Sequence, residues 1–355
     1  MSGQAHPRSG PLLGRLPSPG PAEVRGASLG YAEDMPLTLL VLAPAAAPWL
    51  PLLERSGEDI DLLAADDPHR IRQLAPRADV IVNGASDSSL LDSALPGAKR
   101  ARWIHSMWTG VERQLSPLLA TSALPFTNAR GVFARPLGEW AVGAMLFFSY
   151  DLRRVVRQQE ASVWQPFEAQ ELHGKTLGIV GYGGIGRAAA ERARCFGVRI
   201  LGLRRRPELS QGDPLLDATY ALAQLDELMA ASDFVLVAAP LTATTRGLIG
   251  RGQIAAMKPS GVLINVGRGP VVDEAALLGA LEAGRIRGAA LDVVDVEPLP
   301  KGHPFYRLRN VLLSPHTADR VAGFFELPVA CFLENLRRFR AGEPLLNVVD
   351  KEAGY

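Results

Sequence analysis

From Leu37 onward, short apolar runs alternate with stretches in which apolar positions recur every three or four residues. The runs read as buried parallel strands and the intervening stretches as crossover helices. In the first half the strand candidates are Leu37–Leu42, Val80–Asn83, Trp103–His105 and Phe126–Asn128, which together predict one sheet. A long helix is predicted from about Pro136 to Arg157, with proline in its first turn and Trp140, Met145 and Leu146 buried. After a polar connector and His173-Gly174, a second series begins: Leu177–Val180, Ile200–Leu203, Phe234–Val237, Val262–Asn265, Ala289–Asp292 and Val311–Leu313. Six strands complete a doubly wound sheet of the Rossmann type. An amphipathic helix is expected over Val321–Arg340, kinked or divided at Pro328, with the first sheet as its partner. The predicted fold class is α/β: two Rossmann-like or flavodoxin-like doubly wound parallel-sheet domains with a cleft between them. Residues 36–131 plus 318–355 form the first, and residues 132–317 are the inserted second.

The length of 355 residues exceeds the size at which one core stops growing, which agrees with two domains. A net charge of +1 gives no reason to expect a polyanion, so nucleic acid is disfavoured as a partner. The uncharged stretch Pro36–Leu53 is interrupted by Pro36, Pro44, Pro48 and Pro51, so no membrane span is predicted. Cys195 and Cys331 each lie in a helix-like apolar pattern and are expected to be buried, reduced thiols of a cytoplasmic protein. Residues 1–35 are roughly one-third Gly and Pro without apolar periodicity, the composition of a disordered tail. Arg8, Arg15 and the lack of acids in the first 22 residues fit a transit peptide; a start at Met35 fits equally well.

The run Gly181-Tyr182-Gly183-Gly184-Ile185-Gly186 follows a strand and opens a helix. In that setting the first glycine permits a tight turn, the second lets backbone approach a pyrophosphate, and the third lets helix and strand pack closely. The helix amides beyond Gly183 can then hold phosphate charge. Where an acid would accept the ribose hydroxyls of NAD, at the end of the next strand, the chain has Arg204-Arg205-Arg206. Guanidinium groups suit a 2′-phosphate, so NADP(H) is the preferred cofactor, with NAD(H) as the alternative.

Three further segments end strands on the same edge: Asn265-Val266-Gly267-Arg268-Gly269-Pro270, Leu291-Asp292-Val293 followed by Glu297-Pro298-Leu299-Pro300, and Leu313-Ser314-Pro315-His316. They deliver an arginine, a carboxylate and a histidine to one place. These segments and the glycine turn resemble those of the D-isomer-specific 2-hydroxyacid dehydrogenases, and the reaction which that resemblance implies, reduction of a 2-oxo acid, needs a cation to hold the carboxylate and polarise the carbonyl, and a proton donor for the developing alkoxide. Arg268 suits the first role and His316 the second, with Glu297 orienting the imidazole and favouring its protonated form. Singly, each residue also has an ordinary structural role open to it: a strand-end salt bridge, a turn cap, a satisfied histidine. His105 reads as structural, while His69, His173 and His303 read as surface residues and His6 lies in the tail.

With these motifs the chain resembles the D-isomer-specific 2-hydroxyacid dehydrogenase family, which includes glyoxylate and hydroxypyruvate reductases. The likeness runs from Leu37 to Val349 and rests on the glycine turn, Ala239-Pro240-Leu241-Thr242, Gly267-Arg268-Gly269, Glu297-Pro298-Leu299 and Pro315-His316. It implies a small 2-oxo or 2-hydroxy acid substrate, Arg268, Glu297 and His316 as catalytic residues, and a homodimer joined near the long helix and the Trp164–Phe167 connector. It also implies cofactor contacts from Ala239, Pro240, Thr245, Val266, Gly267, Arg268, Asp292 and His316, and substrate contacts from Arg268 and from Gly84-Ala85 and Trp108-Thr109-Gly110 through backbone amides. Trp108 reads equally as a pocket wall or as core. No cluster has metal-ligand spacing.

The chain departs from the family after His316, where Thr317-Ala318-Asp319-Arg320 replaces small residues, which puts the substrate's identity in question. The rival readings are a dehydrogenase of a phosphorylated acid, of the phosphoglycerate or erythronate-phosphate type, and a cofactor-sensing corepressor. The nearest base in the first-domain loops is Arg113, which favours an uncharged substrate tail. Formate oxidation is disfavoured because the histidine's expected partner is a carboxylate.

Overall fold

All named strand pairs are parallel, and they divide into two sheets. The computed structural model describes residues 36–355; the predicted tail, with His6 and Met35, lies outside the described residues. The first sheet contains β1 (Leu37–Leu42), β2 (Ile60–Ala65), β3 (Val80–Asn83), β4 (Trp103–Ser106) and β5 (Phe126–Asn128) in the order β2-β1-β3-β4-β5. The second contains β6 (Thr176–Val180), β7 (Arg199–Leu203), β8 (Ala218–Tyr220), β9 (Phe234–Val237), β10 (Val262–Asn265), β11 (Gly288–Leu291) and β12 (Val311–Leu313) in the order β12-β11-β10-β9-β6-β7-β8. The first order is flavodoxin-like and the second is a Rossmann order with one additional edge strand. Central strands such as β3, β6 and β10 are buried along their whole length, as helices on both faces of a parallel sheet require.

Two strands depart from the sequence reading. β2 and β8 are edge strands with mostly half-buried residues, and β8 has three residues, so neither produces the continuous apolar run that marks a central strand. The second sheet therefore has seven strands rather than six. The long helix is also two: Ala134–Ser149 and Leu152–Glu160, separated at Asp151, whose φ is +45°. Leu152, Val155 and Val156 continue the apolar spacing but stand exposed, so periodicity ran on past the break. Met145 is buried, while Trp140 and Leu146 are half-buried against the second domain's core.

The helix Ala134–Ser149 belongs to that core because Gly138 lets it touch the helix Gly184–Arg194; a Cβ at Gly138 would lie 2.8 Å from the Ala188–Ala189 backbone. The last long helix runs over Glu326–Arg340, starting later than expected, with Pro328 in its first turn where no helical amide is needed. Its Val329, Phe332 and Leu336 bury against β1, β3 and Trp103, and the Phe332 and Trp103 rings stack at 5.4 Å. Thr127 then bridges Val348, so the chain's end returns to the first sheet. Cys331 is buried as expected, but Cys195 is exposed at the end of its helix. His105 is fully buried with Nδ1 2.8 Å from the Thr127 hydroxyl, and burial lowers its pKa to about 3. His69 and His173 are exposed, whereas His303 is half-buried and lies 3.3 Å from Glu274, so it is not a plain surface residue.

Candidate active site

The glycine turn at the end of β6 is shaped by three different constraints. Gly181 has φ +92°, and a Cβ there would sit 2.6 Å from the Ala239 amide nitrogen. Gly186 has no room for a side chain because Ile179 would be 2.7 Å away, which is the close helix–strand contact expected. Gly183 instead faces open space, with nothing within 4 Å of a built Cβ. The helix begins at Gly184, so the amides of Gly184, Ile185 and Gly186 have no intrahelical acceptor and are available to an anion. This open cradle fits a dinucleotide diphosphate.

Tyr182 is placed differently from expectation. Its amide donates to the Leu203 carbonyl and its hydroxyl to Asp213 at 3.0 Å, with the ring buried. Burial, reinforced by Asp213, keeps the phenol protonated. Tyr182 therefore supports the turn and offers no donor to a cofactor. The arginines beyond β7 also differ among themselves. Arg204 is half-buried and its Nη1 donates to Ser210 Oγ at 3.0 Å, while Arg205 and Arg206 are exposed. Burial, with Arg206 beside it, lowers the Arg204 pKa. The nearby acid, Asp213, is committed to Tyr182 and Arg187.

Across the cradle, Thr245 Oγ1 donates to the Pro240 carbonyl at 2.6 Å and accepts from the Thr242 amide at 2.8 Å, which pins the loop after Ala239. Val266 is buried beside it, and a Cβ on Gly267 would lie 2.8 Å from the Ala239 carbonyl oxygen. Buried Asn265 closes the next turn, accepting from the Gly267 amide at 3.1 Å and donating to the Arg268 carbonyl at 3.1 Å.

That turn aims Arg268 into the cleft. Its Nη1 donates to the Gly267 carbonyl at 2.9 Å and its Nε to Glu112 Oε1 at 2.6 Å. Glu112 belongs to the loop after β4, so the pair joins the two domains across 156 residues of chain. Gly110 is where the guanidinium passes, since a Cβ there would be 1.7 Å from Nη2. The sequence reading did not single out Glu112; its only signal was an acid two residues after Gly110.

His316 stands in the left-handed region, φ +52°, which a histidine adopts only when its surroundings hold it there. Asp292 supplies that hold. Its buried Oδ1 accepts from Ser314 Oγ at 2.7 Å, the Thr317 amide at 2.9 Å and the Ala318 amide at 3.0 Å, while the Asp292 carbonyl accepts the His316 amide at 2.9 Å. Asp292 thus has a structural task in addition to any cofactor contact. His316 Nδ1 lies 2.7 Å from Glu297 Oε2, and Glu297 Oε1 accepts the Val294 amide at 3.1 Å. The Glu297 bond raises the His316 pKa against the opposing effect of burial. Burial alone would raise that of Glu297, but the bonds from His316 and Val294 bring it below the usual carboxylate value. Arg268 acts electrostatically on both, so the three predicted catalytic residues share one site. Next to them, Asp319 is largely buried, which raises its pKa, and the Arg320 guanidinium lies 4.2 Å from the Phe324 ring.

The first domain contributes two loops. Trp108 ties them together, its Nε1 donating to the Gly84 carbonyl at 2.9 Å, and its half-buried ring faces Phe324 at 6.5 Å. Gly84 is a glycine because Trp49 would lie 2.6 Å from a Cβ there. Its amide donates to the Leu42 carbonyl, and that of Ala85 to Asn83 Oδ1, so neither is free for a substrate carboxylate as expected. The amides of Thr109 and Gly110 have no acceptor among the described residues, while the Thr109 carbonyl and hydroxyl are held by Asn128 and Ala129.

Residues 142–318 match the family model of the D-isomer specific 2-hydroxyacid dehydrogenase NAD binding domain. The chain is 37% identical to a glyoxylate reductase of Korarchaeum cryptofilum over 235 residues, 64% of this chain and 69% of that protein. It is 30% identical to a D-3-phosphoglycerate dehydrogenase of Methanocaldococcus jannaschii over 318 residues, 88% of this chain but 59% of that protein. Among solved structures, an NADPH-dependent glyoxylate/hydroxypyruvate reductase of Sinorhizobium meliloti in complex with NADP and sulfate superposes with a TM-score of 0.76 at 26% identity, covering 90% of this chain and 100% of that one.

Proposed function

We propose, from the premise that this chain belongs to the D-isomer-specific 2-hydroxyacid dehydrogenase family, that it reduces a small 2-oxo acid of the glyoxylate or hydroxypyruvate kind to the D-2-hydroxy acid with NADPH. The observation that carries this reading is His316 Nδ1 bonded to Glu297 at 2.7 Å with Arg268 acting on both. Because Nδ1 is turned to the carboxylate, Nε2 is the nitrogen left to face a substrate. When protonated, it donates to the carbonyl oxygen as that oxygen gains charge. Glu297 keeps the imidazole oriented and favours the charged form. Arg268, with Nε and Nη1 already engaged, presents Nη2 to the substrate, and the Thr109 and Gly110 amides receive its carboxylate. A bound nicotinamide supplies the hydride.

The gap at Gly183 and the free amides of residues 184–186 would hold the diphosphate, and Arg204–Arg206 in place of an acid support NADPH over NADH. In the loops that follow Asn83 and Trp108 the nearest base is Arg113, which favours a substrate with an uncharged tail over a phosphorylated acid. The lobes of this reading are residues 36–131 plus 318–355 and residues 132–317. Exposed Leu152, Val155, Val156, Val163 and Trp164, the last 98% accessible, support a homodimer, and free cysteines agree with the cytoplasm. No helix among the described residues is long and apolar enough to cross a membrane. The test follows nicotinamide absorbance with NADPH or NADH against glyoxylate, hydroxypyruvate, pyruvate and 2-ketogluconate. NADPH consumption that His316→Ala abolishes is the expected result; tight cofactor binding without turnover on any acid would overturn it.

A further inference from the structure

Arg130, in the first lobe, stands directly opposite the glycine turn. Its neighbour Gly131 lies 3.9 Å from a Cβ built on Gly184, where the cofactor helix begins. The Arg130 backbone is held on both sides: its amide donates to Asn128 Oδ1 at 3.2 Å and its carbonyl accepts Asn347 Nδ2 at 2.9 Å. Its guanidinium, by contrast, has no hydrogen-bond or ion-pair partner among the described residues. The side chain is accessible yet crowded, since desolvation lowers its pKa while the Tyr355 phenol works against that shift. An accessible, unpaired guanidinium on a backbone held at both its amide and its carbonyl is suited to an anion ligand.

Tyr355 connects this cation to the second lobe. Its segment is anchored on the first lobe, where Lys351 Nζ donates to the Ser122 and Leu124 carbonyls at 2.7 and 2.8 Å. The Tyr355 ring reaches across to Arg205, whose guanidinium carbon lies 5.2 Å from the ring centroid. A cation over an aromatic face loses rotational freedom at little energetic expense, so Arg205 is pre-oriented. Arg205 and the Tyr355 ring thus form a pair that spans both lobes, and the segment that ends in Tyr355 runs beside Arg130, whose carbonyl accepts from Asn347.

We infer that Arg130 is a ligand of the cofactor's adenosine 2′-phosphate supplied by the first lobe, and that Tyr355 is a positioning residue that holds Arg205 toward the same phosphate. This rests on the NADPH reading above. It makes the 2′-phosphate a contact that both lobes share, so binding of NADPH favours the closed cleft more than binding of NADH does.

Isothermal titration of the full chain with NADPH, NADH and 2′,5′-ADP tests it without turnover. Arg130→Ala is expected to raise the Kd for NADPH and 2′,5′-ADP by roughly tenfold or more and to leave that for NADH within about twofold, since one charge-assisted bond is lost. Tyr355→Ala is expected to weaken NADPH by about threefold, with Tyr355→Phe keeping wild-type affinity because the ring remains. Unchanged melting temperatures exclude a folding defect. An Arg130→Ala chain that binds NADPH like wild type, or that loses NADH equally, overturns the inference. If wild type itself shows no preference for NADPH over NADH, the underlying cofactor reading fails, and the inference with it.

Discussion

Gly110→Ala tests how closely the two domains are fitted around the catalytic arginine. The added methyl carbon would lie 1.7 Å from Arg268 Nη2, 2.8 Å from Cζ and 2.8 Å from Glu112 Oε2. Ordinary contact needs about 3.5 Å, so the guanidinium must retreat by roughly 1.5–2 Å. Arg268 is flexible and partly exposed, so it can retreat, but doing so breaks the 2.6 Å bond to Glu112 and removes Nη2 from the substrate's side. A displacement of about 1 Å at a positioning group is enough to lower rate about 10²-fold, so kcat/KM for glyoxylate should fall by about that factor or more. Stability should fall by about 1 kcal/mol or less, the scale of a solvent-accessible ion pair. The assay is steady-state NADPH oxidation, with NADPH affinity measured separately so that an effect on the cofactor is told apart from one on the substrate. A variant within about threefold of wild type in kcat/KM would refute the placement of Arg268.

Three further outcomes follow from the same contacts. Glu297→Gln replaces the charged acceptor that raises the His316 pKa with a neutral amide, so the alkaline limb of kcat/KM for reduction should move to lower pH; an unmoved limb would exclude Glu297 as the imidazole's partner. In the same variant the stability deficit should be greatest between the ordinary Glu and His values, 4.5 and 6.5: the carboxylate's contribution is lost as pH falls through its depressed pKa, and the histidine's as pH rises through its elevated one. Asp292→Ala leaves the Thr317 and Ala318 amides without their acceptor, which should cost roughly 2–4 kcal/mol in urea denaturation and release His316 from its left-handed conformation, with activity lost in parallel. Phe332→Ala, at a fully buried ring stacked on Trp103, should cost about 3–5 kcal/mol; a loss below about 1 kcal/mol would mean that the last helix does not pack on the first sheet.

The sequence by itself determined those features that depend on residues close in the chain. Gly181 and Gly186 are legible because a positive φ or a missing Cβ is a property of one residue, and the central strands because burial on both faces imposes unbroken apolar runs. Arg268, Glu297 and His316 were legible as strand-end residues on one edge of a parallel sheet, since that edge is set by strand order. Tertiary structure alone decided the rest. The edge strands β2 and β8 take their conformation from a neighbour on one side, and Asp151 breaks a helix whose apolar spacing continues. The Glu112–Arg268 pair, the commitment of the Gly84 and Ala85 amides, and the placing of Arg205 over the Tyr355 ring each join segments far apart in the chain or depend on which donors the fold has already used. Contacts of that kind leave no periodicity in the sequence, because what selects them is the surface that two folded domains present to each other.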